Sequence, residues 1–401
     1  MIYAVRLTLT AALAAEQPKE TQDALQWVGA WGASPTFPVE DDFNNQTIRE
    51  FARISTDGSQ VRLRFSNETG TEPLVFGVVH LAKPGTRPGA IDSSTDRRVT
   101  FGGESKVEVA PFAAVVSDPV EIDVHALDTL AISIFVAKQT GPAVEHLLAM
   151  TTSYVSGAGD FTGTAIISDV KKISDRPFLT GIYVGSSAAG KGAIVTLGDS
   201  ITDGYASTPD TNRRWPDRLA ERLGGKFGVV NAGISGNRIL NDHPPDGSGP
   251  SALARFDRDV LSIPGVRYVI LLEGINDIGH STAGSPWEPE VTADQIIAGI
   301  KQLVVRAHLR GLRIYGATLT PFEGTAFPRY FIPEEEKKRE AVNAWVRSPG
   351  AFDGVIDFEA ATHDPGNPAR MRAEYDSGDH LHPNDAGYKA MADSIDLNLF
   401  N

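Results

Sequence analysis

The chain of 401 residues is 41% hydrophobic and 22% charged, which is typical of a globular protein, and at this length we expect two domains. Its formal net charge of −14 argues against a nucleic-acid partner and against standing attraction to anionic membranes. The absence of cysteine excludes thiol catalysis, thiolate metal sites and disulfide bonds.

The first residues have the features of a weak export signal. Arg6 precedes an apolar stretch at residues 7–15 that ends in small residues. A charged start, a short apolar stretch and a small-residue cleavage site are typical of a secretory signal peptide. We therefore interpret residues 1–20 as a signal peptide, with a disordered start as the alternative, and expect a secreted or periplasmic protein. No later segment reaches the ~20 apolar residues of a membrane span, so no transmembrane segment is predicted.

Residues 25–185 read as short strands separated by turn residues. Apolar and polar residues alternate at 60–66, and residues 74–81 and 130–136 are rich in β-branched and aromatic residues. No helical period is evident in this part of the chain. The pattern predicts an antiparallel β-sandwich, or a jelly-roll-like variant of it.

Residues 190–401 alternate between buried strands and amphipathic helices. Short apolar runs occur at residues 193–197 and 268–272, and the clearest helix spans residues 293–309. Thr292 and Gln295 form a capping box at the start of this helix. Alternating strands and helices predict an α/β domain with a parallel sheet covered on both faces, whose site lies beyond the carboxyl ends of the strands.

The segment at residues 185–191 matches most of a phosphate-binding loop. The pattern fails at Gly192, where Ser or Thr is needed, and a strand follows where a helix is required. We interpret the segment as the linker between the two domains. No Gly-x-Ser-x-Gly motif occurs, which argues against an ordinary α/β-hydrolase.

Four polar segments follow predicted strands or open the last helix of the α/β part. They are Thr-Leu-Gly-Asp-Ser-Ile-Thr-Asp-Gly at 196–204, Asn-Ala-Gly-Ile-Ser-Gly-Asn at 231–237, Leu-Glu-Gly-Ile-Asn-Asp at 272–277 and Asp-His-Leu-His-Pro-Asn-Asp-Ala-Gly at 379–387. Taken singly, each has an ordinary explanation as a turn, a helix cap or a solvated loop. Taken together, they offer a serine on a strand-to-helix turn, backbone and amide donors, and a carboxylate three residues before a histidine. These are the groups that a serine nucleophile needs when a histidine, oriented by a carboxylate, takes its proton.

These four segments resemble the sequence blocks of the SGNH hydrolase superfamily, also called the GDSL esterase/lipase family, over about half of the chain. The resemblance implies a flavodoxin-like three-layer α/β/α domain and hydrolysis of carboxylic esters. It further implies that Ser200 is the nucleophile, His382 the general base and Asp379 the acid that orients it. The backbone N–H groups of Ser200 and Gly236 and the amide of Asn276 are expected to form the oxyanion hole.

Two details of the resemblance concern single positions. In the second block we choose Gly236 over Gly233, because the family's donor follows the Ile-Ser pair. Glu273 stands where many members of the family are apolar, and we expect it to alter the wall of the pocket. No cofactor and no metal are expected.

The expected substrate is a small-molecule or polysaccharide ester, with a short acyl chain and an acetylated carbohydrate preferred by analogy. A lipase or lysophospholipase of the same superfamily is the nearest alternative. A metal-dependent hydrolase using Asp379, His380 and His382 is a second, and a non-catalytic glycan-binding protein is a third. For the last of these Trp27, Trp31 and Phe37 are candidate aromatic contacts, although core packing is the simpler use of each. The oligomeric state is not readable from the sequence.

Overall fold

The computed structural model of the chain describes residues 25–38, 41–188, 190–242, 247–280 and 289–401. The signal peptide expected at residues 1–20 lies outside the described residues. None of the helices in these ranges combines the length and the apolarity needed to cross a membrane.

The N-terminal part of the described chain, up to Ser186, consists of antiparallel strands. They are β1 (Gln26–Gly32), β2 (Gln46–Arg53), β3 (Gly58–Ser66), β4 (Leu74–Ala82), β5 (Arg97–Val99), β6 (Val107–Val109), β7 (Ala114–Val116), β8 (Val120–Val124), β9 (Thr129–Val136), β10 (Glu145–His146), β11 (Ser153–Ala158), β12 (Lys171–Ile173), β13 (Arg176–Pro177) and β14 (Leu179–Ser186). One sheet has the order β1-β14-β3-β7, with β8 also paired to β3, and the other has the order β12-β11-β2-β9-β4-β5, with β6 also paired to β4. A short ladder joins β10 to β13.

The two sheets pack face to face around one apolar core. In β3 the side chains of Val61, Leu63 and Phe65 are completely buried, as the alternating pattern predicts. Phe76 of β4 and Ile132 of β9 enter the same core from the other sheet. Phe65 and Phe76 meet edge to face across it, with ring centroids 5.1 Å apart. This packing confirms the predicted antiparallel β-sandwich.

The C-terminal part has one parallel sheet and a short hairpin. Its strands are β15 (Ala193–Gly198), β16 (Gly228–Gly233), β17 (Val266–Leu272), β18 (Arg313–Ala317) and β19 (Gly354–Ile356), followed by the hairpin β20 (His363–Asp364) and β21 (Asn367–Met371). The sheet order is β16-β15-β17-β18-β19, and every neighbouring pair is parallel. This is the flavodoxin-like order that we predict, and its switch point lies between β15 and β17, where ligand sites form in such sheets.

Helices cover both faces of this sheet. They are α1 (Ser200–Asp203), α2 (Trp215–Leu223), α3 (Ala252–Phe256), α4 (Ile275–Gly279), α5 (Ala293–Leu309), α6 (Pro333–Val346), α7 (Phe358–Thr362) and α8 (Asp385–Asp393). Helices α2, α7 and α8 pack together, and α3, α5 and α6 form a second group. Helix α5 has the predicted start, because the Thr292 side chain accepts from the Gln295 N–H at 3.2 Å and the Gln295 side chain accepts from the Thr292 N–H at 2.8 Å. The three-layer α/β/α arrangement is therefore confirmed.

The β-sandwich packs directly on the parallel sheet through β1 and β16. A Cβ added at Gly29 would lie 2.4 Å from Ile263 Cγ2 and 2.9 Å from Val230 Cγ2, so only glycine permits this close approach. Across the same boundary the backbone N–H of Val229 donates to the Ser55 hydroxyl at 2.7 Å. The two parts of the chain thus share a packed and hydrogen-bonded boundary.

Two minor expectations concern residues on or near this boundary. The stretch at 185–191, interpreted as a linker, leads from the end of β14 into β15, and no helix follows it. Trp31 is 8% exposed and Arg176 lies 4.8 Å from its ring centroid, while Arg62 lies 4.8 Å from that of Trp27. These contacts favour packing over glycan binding for both tryptophans.

Candidate active site

Ser200 begins helix α1, directly after the central strand β15. The Asp199 side chain caps the helix by accepting from the Ile201 N–H at 2.9 Å, and Gly204 ends it with φ of +99°. A Cβ on Gly198 would lie 2.4 Å from the backbone oxygen of Leu272, so the turn tolerates only glycine there. The local sequence therefore forces a tight strand-to-helix turn that presents the Ser200 hydroxyl at the carboxyl edge of the sheet.

His382 and Asp379 reach Ser200 from the loop that precedes helix α8. Ser200 Oγ lies 2.8 Å from His382 Nε2, although the two residues are 182 positions apart. On the other side of the ring, His382 Nδ1 lies 2.6 Å from Asp379 Oδ2. A carboxylate only accepts, so Nδ1 carries the proton and Nε2 is left to accept from the serine hydroxyl. The structure thus brings the three residues into one hydrogen-bonded chain.

The carboxylate of Asp379 is fixed independently of the imidazole. Its Oδ1 accepts from the backbone N–H groups of Leu381 at 2.9 Å and His382 at 2.8 Å. Burial raises the pKa of Asp379, but the hydrogen bond and charge of His382 and the two backbone donors outweigh it and hold that pKa well below its usual range. The group is therefore an ionised and rigid partner for the imidazole.

Two aromatic rings enclose the imidazole. The ring centroid of Tyr205 lies 4.4 Å from that of His382, and the centroid of Phe327 lies 6.0 Å from it. The Tyr388 hydroxyl, on helix α8, donates to the backbone oxygen of Tyr205 at 2.6 Å. Ser200 is 6% exposed and His382 is 4% exposed, whereas Phe327 is 42% exposed. The Ser200 and His382 side chains are therefore shielded from solvent, and the Phe327 ring is an exposed aromatic surface beside them.

Asn276 lies in helix α4, just beyond β17, which pairs with β15. Its Nδ2 donates to the backbone oxygen of Asn237 at 2.9 Å, and its Oδ1 accepts from the Tyr330 hydroxyl at 2.8 Å. These two contacts determine which end of the amide is the donor. Since an amide nitrogen carries two N–H groups, the second is available to a ligand as far as the described residues show.

Gly236 follows β16, on the other side of β15, in a turn with φ of +79°. Within the described residues no hydrogen bond uses the N–H of Gly236 or that of Ser200. By contrast, the N–H of Gly233 already donates to Asn231 Oδ1 at 2.8 Å. Of the two glycines, Gly236 is therefore the one whose N–H is free to meet a ligand.

Sequence reasoning missed a link from the β-sandwich to this site. His146 of β10 is buried, and its Nε2 lies 3.0 Å from Asp203 Oδ1 in helix α1. Asp203 Oδ2 in turn accepts from the Ser235 N–H at 3.1 Å and the Ser235 hydroxyl at 2.8 Å, next to Gly236. Asp203 is recognisable in the sequence as the last aspartate of the segment at 196–204, but nothing in the sequence around His146 indicates that the two residues are in contact.

A second missed residue is Arg255, which lies completely buried beneath the site. Its guanidinium donates to the backbone oxygens of Gly198 at 2.9 Å and Ala232 at 2.6 Å, and to Asn237 Oδ1 at 2.9 Å. It also pairs with Asp259 at 3.1 Å. These bonds tie the carboxyl ends of β15 and β16 together and hold the two loops that carry Ser200 and Gly236 in register.

Glu273 is part of the same buried cluster. Its side chain has no exposed area and lies 3.5 Å from Arg255 Nη2. Burial, and then the charge of Asp199, raise the pKa of Glu273 well above its usual range. The expectation that Glu273 alters the pocket wall is wrong, because a side chain without exposed area cannot line a pocket that is open to substrate.

The metal-site alternative receives no geometric support in the described residues. His380 Nδ1 contacts Asp376 Oδ2, whereas His382 is held between Ser200 and Asp379. Within the described part of the chain, no group of three possible ligands includes Asp379, His380 or His382. The two histidines therefore belong to different hydrogen-bonded pairs.

The sheet order and the helices on both faces define a three-layer α/β/α domain, with a serine, a histidine and an aspartate in contact beyond its central strand. Residues 196–390 match the family model described as the GDSL-like lipase/acylhydrolase family. The C-terminal domain belongs to this family, and so to the SGNH hydrolase superfamily, and the protein is an ester-bond hydrolase with an additional N-terminal β domain. A search of curated proteins found no relative that matches the chain.

Several solved structures resemble about half of the chain. An aryl esterase from M. smegmatis is 19% identical over 51% of this chain and 95% of its own, with a TM-score of 0.41. A carbohydrate acetylesterase from Sinorhizobium meliloti is 15% identical over 50% of this chain and 94% of its own, with a TM-score of 0.40. A GDSL-like lipase from Bacteroides thetaiotaomicron is 19% identical over 52% of this chain and 87% of its own, with a TM-score of 0.38.

Proposed function

We propose that the protein hydrolyses carboxylic esters through a covalent acyl-enzyme formed on Ser200. The observation that carries this proposal is the distance of 2.8 Å between Ser200 Oγ and His382 Nε2. That distance is within reach for direct proton transfer. The second contact, between His382 Nδ1 and Asp379, supports the role of Asp379 as the residue that orients the imidazole.

The proposed reaction has two halves that use the same groups. Ser200 Oγ attacks the ester carbonyl while its proton passes to His382 Nε2, and the ring then protonates the departing alcohol. Water attacks the acyl-enzyme with His382 again acting as base, and Ser200 is released with a free carboxylic acid. Asp379 stays ionised throughout and stabilises the imidazolium that forms in each half.

The negative oxygen of the tetrahedral intermediate is proposed to bind the N–H groups of Ser200 and Gly236 and the amide of Asn276. The three residues follow β15, β16 and β17, which are adjacent in the sheet, and all lie at its carboxyl edge. The bond from Asn276 to the Asn237 backbone joins the second and third of these loops. Donors held in place before the charge develops need no reorganisation in the transition state.

We expect Asn276→Ala to lower kcat by about 10²–10³-fold with little change in KM, because the lost donor acts on the transition state more than on the bound ester. Steady-state kinetics with p-nitrophenyl acetate would measure both constants. Asn276→Asp is a sharper variant, since it keeps an oxygen to accept from Tyr330 but replaces the donor by a carboxylate that repels the oxyanion.

The matched control for this pair is Tyr330→Phe. This variant removes the hydroxyl that orients the amide at 2.8 Å and leaves the amide donor in place. We expect it to lose less activity than either Asn276 variant. A kcat for Asn276→Ala within threefold of the wild-type value would exclude the residue from the oxyanion hole.

The proposed substrate is an ester with a short acyl chain, and within that class an acetylated carbohydrate. The low exposure of Ser200 favours a small acyl group, and the exposed face of Phe327 near His382 offers an apolar surface to the alcohol part. A secreted or periplasmic location belongs to the same proposal and rests on the apolar stretch at residues 7–15.

A panel of p-nitrophenyl esters from acetate to palmitate, assayed beside acetylated xylan, tests the substrate. We expect kcat/KM to be highest for acetate and to fall by more than tenfold by octanoate. Highest activity on the long chains would instead identify a lipase. Absence of hydrolysis across the whole panel would favour a binding protein that has lost catalysis.

A further inference from the structure

Away from the candidate active site, three carboxylates from separate segments meet beside strands β10 and β13. Glu145 belongs to β10, Asp175 directly precedes β13, and Asp41 lies before β2. One carboxylate oxygen from each residue lies within 4.8 Å of those of the other two. Two oxygens that bind the same calcium ion at 2.3–2.6 Å are at most about 5 Å apart, so this spacing fits a shared ion.

Glu145 is the buried member of the group, whereas Asp41 and Asp175 are partly exposed. It is 1% exposed, and neither of its carboxylate oxygens has a hydrogen-bond partner within the described residues. Buried charged groups in folded proteins are normally paired, hydrogen-bonded or bound to a metal. The surrounding protein therefore leaves this carboxylate poorly compensated.

The basic side chains nearby do not supply the missing charge. Lys171 Nζ lies 3.9 Å from Asp41 Oδ1, but its side chain is 69% exposed and makes a loose surface pair. Arg176, the neighbour of Asp175, donates instead to the backbone oxygen of Phe51 at 2.8 Å and pairs with Glu50 at 3.5 Å. The three carboxylates thus carry more negative charge than the neighbouring cations balance.

We propose that Asp41, Glu145 and Asp175 bind a calcium ion. The atoms that would bind the ion are all carboxylate oxygens, the hard donors that calcium prefers. The group has none of the nitrogen or sulfur ligands that select zinc. Asp41 and Asp175 are half-buried, so water can complete the six to eight ligands that calcium takes. Magnesium requires a stricter octahedral arrangement, which ligands from three separate segments are less suited to provide.

The bound ion joins three segments of the β-sandwich, and one of them carries a residue that contacts helix α1. Asp175 is already attached to one of them, because its Oδ1 accepts from the Leu148 N–H at 2.9 Å. Glu145 immediately precedes His146, whose imidazole contacts Asp203 in helix α1. The ion therefore stabilises the strand that carries His146. This proposal does not depend on the catalytic roles assigned to Ser200, His382 and Asp379.

Calcium binding to the full chain, stripped of metal with EGTA and desalted, tests the site. Isothermal titration with calcium chloride is expected to show one ion bound per chain. At a hundredfold excess over Kd, calcium is expected to raise Tm by about 4 °C. The same concentration of magnesium chloride is expected to raise it by less than half as much. An equal response to magnesium would overturn the assignment to calcium.

Three variants separate a specific site from general attraction to an acidic protein. Glu145→Gln and Asp175→Asn are expected to abolish both the heat of binding and the shift in Tm. Without calcium, Glu145→Gln should melt within about 2 °C of the stripped wild type, because the substitution replaces one buried side chain by another of nearly the same shape. Asp123→Asn, an exposed acid on β8, removes the same charge and should keep the full response. A wild type that does not respond to 10 mM calcium, or a full response in both site variants, would refute the proposal.

Discussion

Replacement of Ser200 by Ala is expected to reduce kcat for p-nitrophenyl acetate on the order of 10⁶-fold, the scale seen when a serine nucleophile is removed. The hydroxyl is the group proposed to form the acyl-enzyme, and it lies 2.8 Å from His382 Nε2. The substitution removes one oxygen whose only hydrogen bond in the described residues is to His382. The fold should therefore be kept, and circular dichroism and a melting curve within about 2 °C of wild type would show this.

A fluorophosphonate probe gives a second measurement of the same residue. It should label the wild-type chain with a stoichiometry of one and leave Ser200→Ala unlabelled. Ser377→Ala is the matched control, because this exposed serine lies in the same loop as Asp379 and only its backbone takes part in a bond to His382. It should react with the probe and turn over ester like wild type. Activity lost in EDTA and restored by zinc, with no labelling, would replace the serine mechanism by a metal-dependent one.

Asp379→Asn is expected to lower kcat on the order of 10⁴-fold with KM nearly unchanged. The asparagine keeps one oxygen, which can go on accepting from the N–H groups of Leu381 and His382. Its NH₂ group then faces His382 Nδ1, where the carboxylate lies at 2.6 Å in the native protein. An NH₂ group donates, so Nδ1 must accept and the ring proton moves to Nε2. In that tautomer the ring cannot take the proton of Ser200.

The loss in Asp379→Asn should be accompanied by little loss of stability, because both backbone bonds to the side chain survive. Melting curves and kinetics with p-nitrophenyl acetate would separate the two effects. His380→Ala serves as the control in the same loop, since His380 contacts Asp376 and is not among the residues proposed to react. A kcat within tenfold of wild type in Asp379→Asn would mean that another group orients His382.

Local sequence patterns predicted both sheets and the clearest helix, because buried side chains recur about every second residue in a strand and about every 3.6 residues in a helix. The residues that alternate at 60–66 form strand β3, with Val61, Leu63 and Phe65 buried. The amphipathic segment that follows the capping box at Thr292 forms helix α5. The same reasoning failed at Glu273, where the position beside a motif suggested a pocket wall. Whether a polar side chain faces a pocket or a buried arginine depends on how another element packs against it, here helix α3 with Arg255, and no local window of the sequence shows that packing.

Most of the candidate site was also predictable, for a different reason. The proposed oxyanion donors and the proposed nucleophile follow the ends of strands, and such turns need glycine and capping residues that can be recognised in the sequence. Gly198 and Gly204 beside Ser200 are examples, because one admits no Cβ and the other has positive φ. His382 and Asp379 are only three residues apart, so their pairing is a local event as well.

The sequence alone determined that the chain has a β-rich part followed by an α/β part. It also determined the family that the four blocks resemble and the residues that are candidates for catalysis. Only the tertiary structure decided that His146 of the β-sandwich contacts Asp203, that Arg255 joins the ends of β15 and β16, and that three acidic residues meet at Glu145. Contacts of this kind link positions tens to hundreds of residues apart through single side chains. Such contacts produce no periodic pattern in the sequence, because they form only once strands that are distant along the chain have paired in the fold.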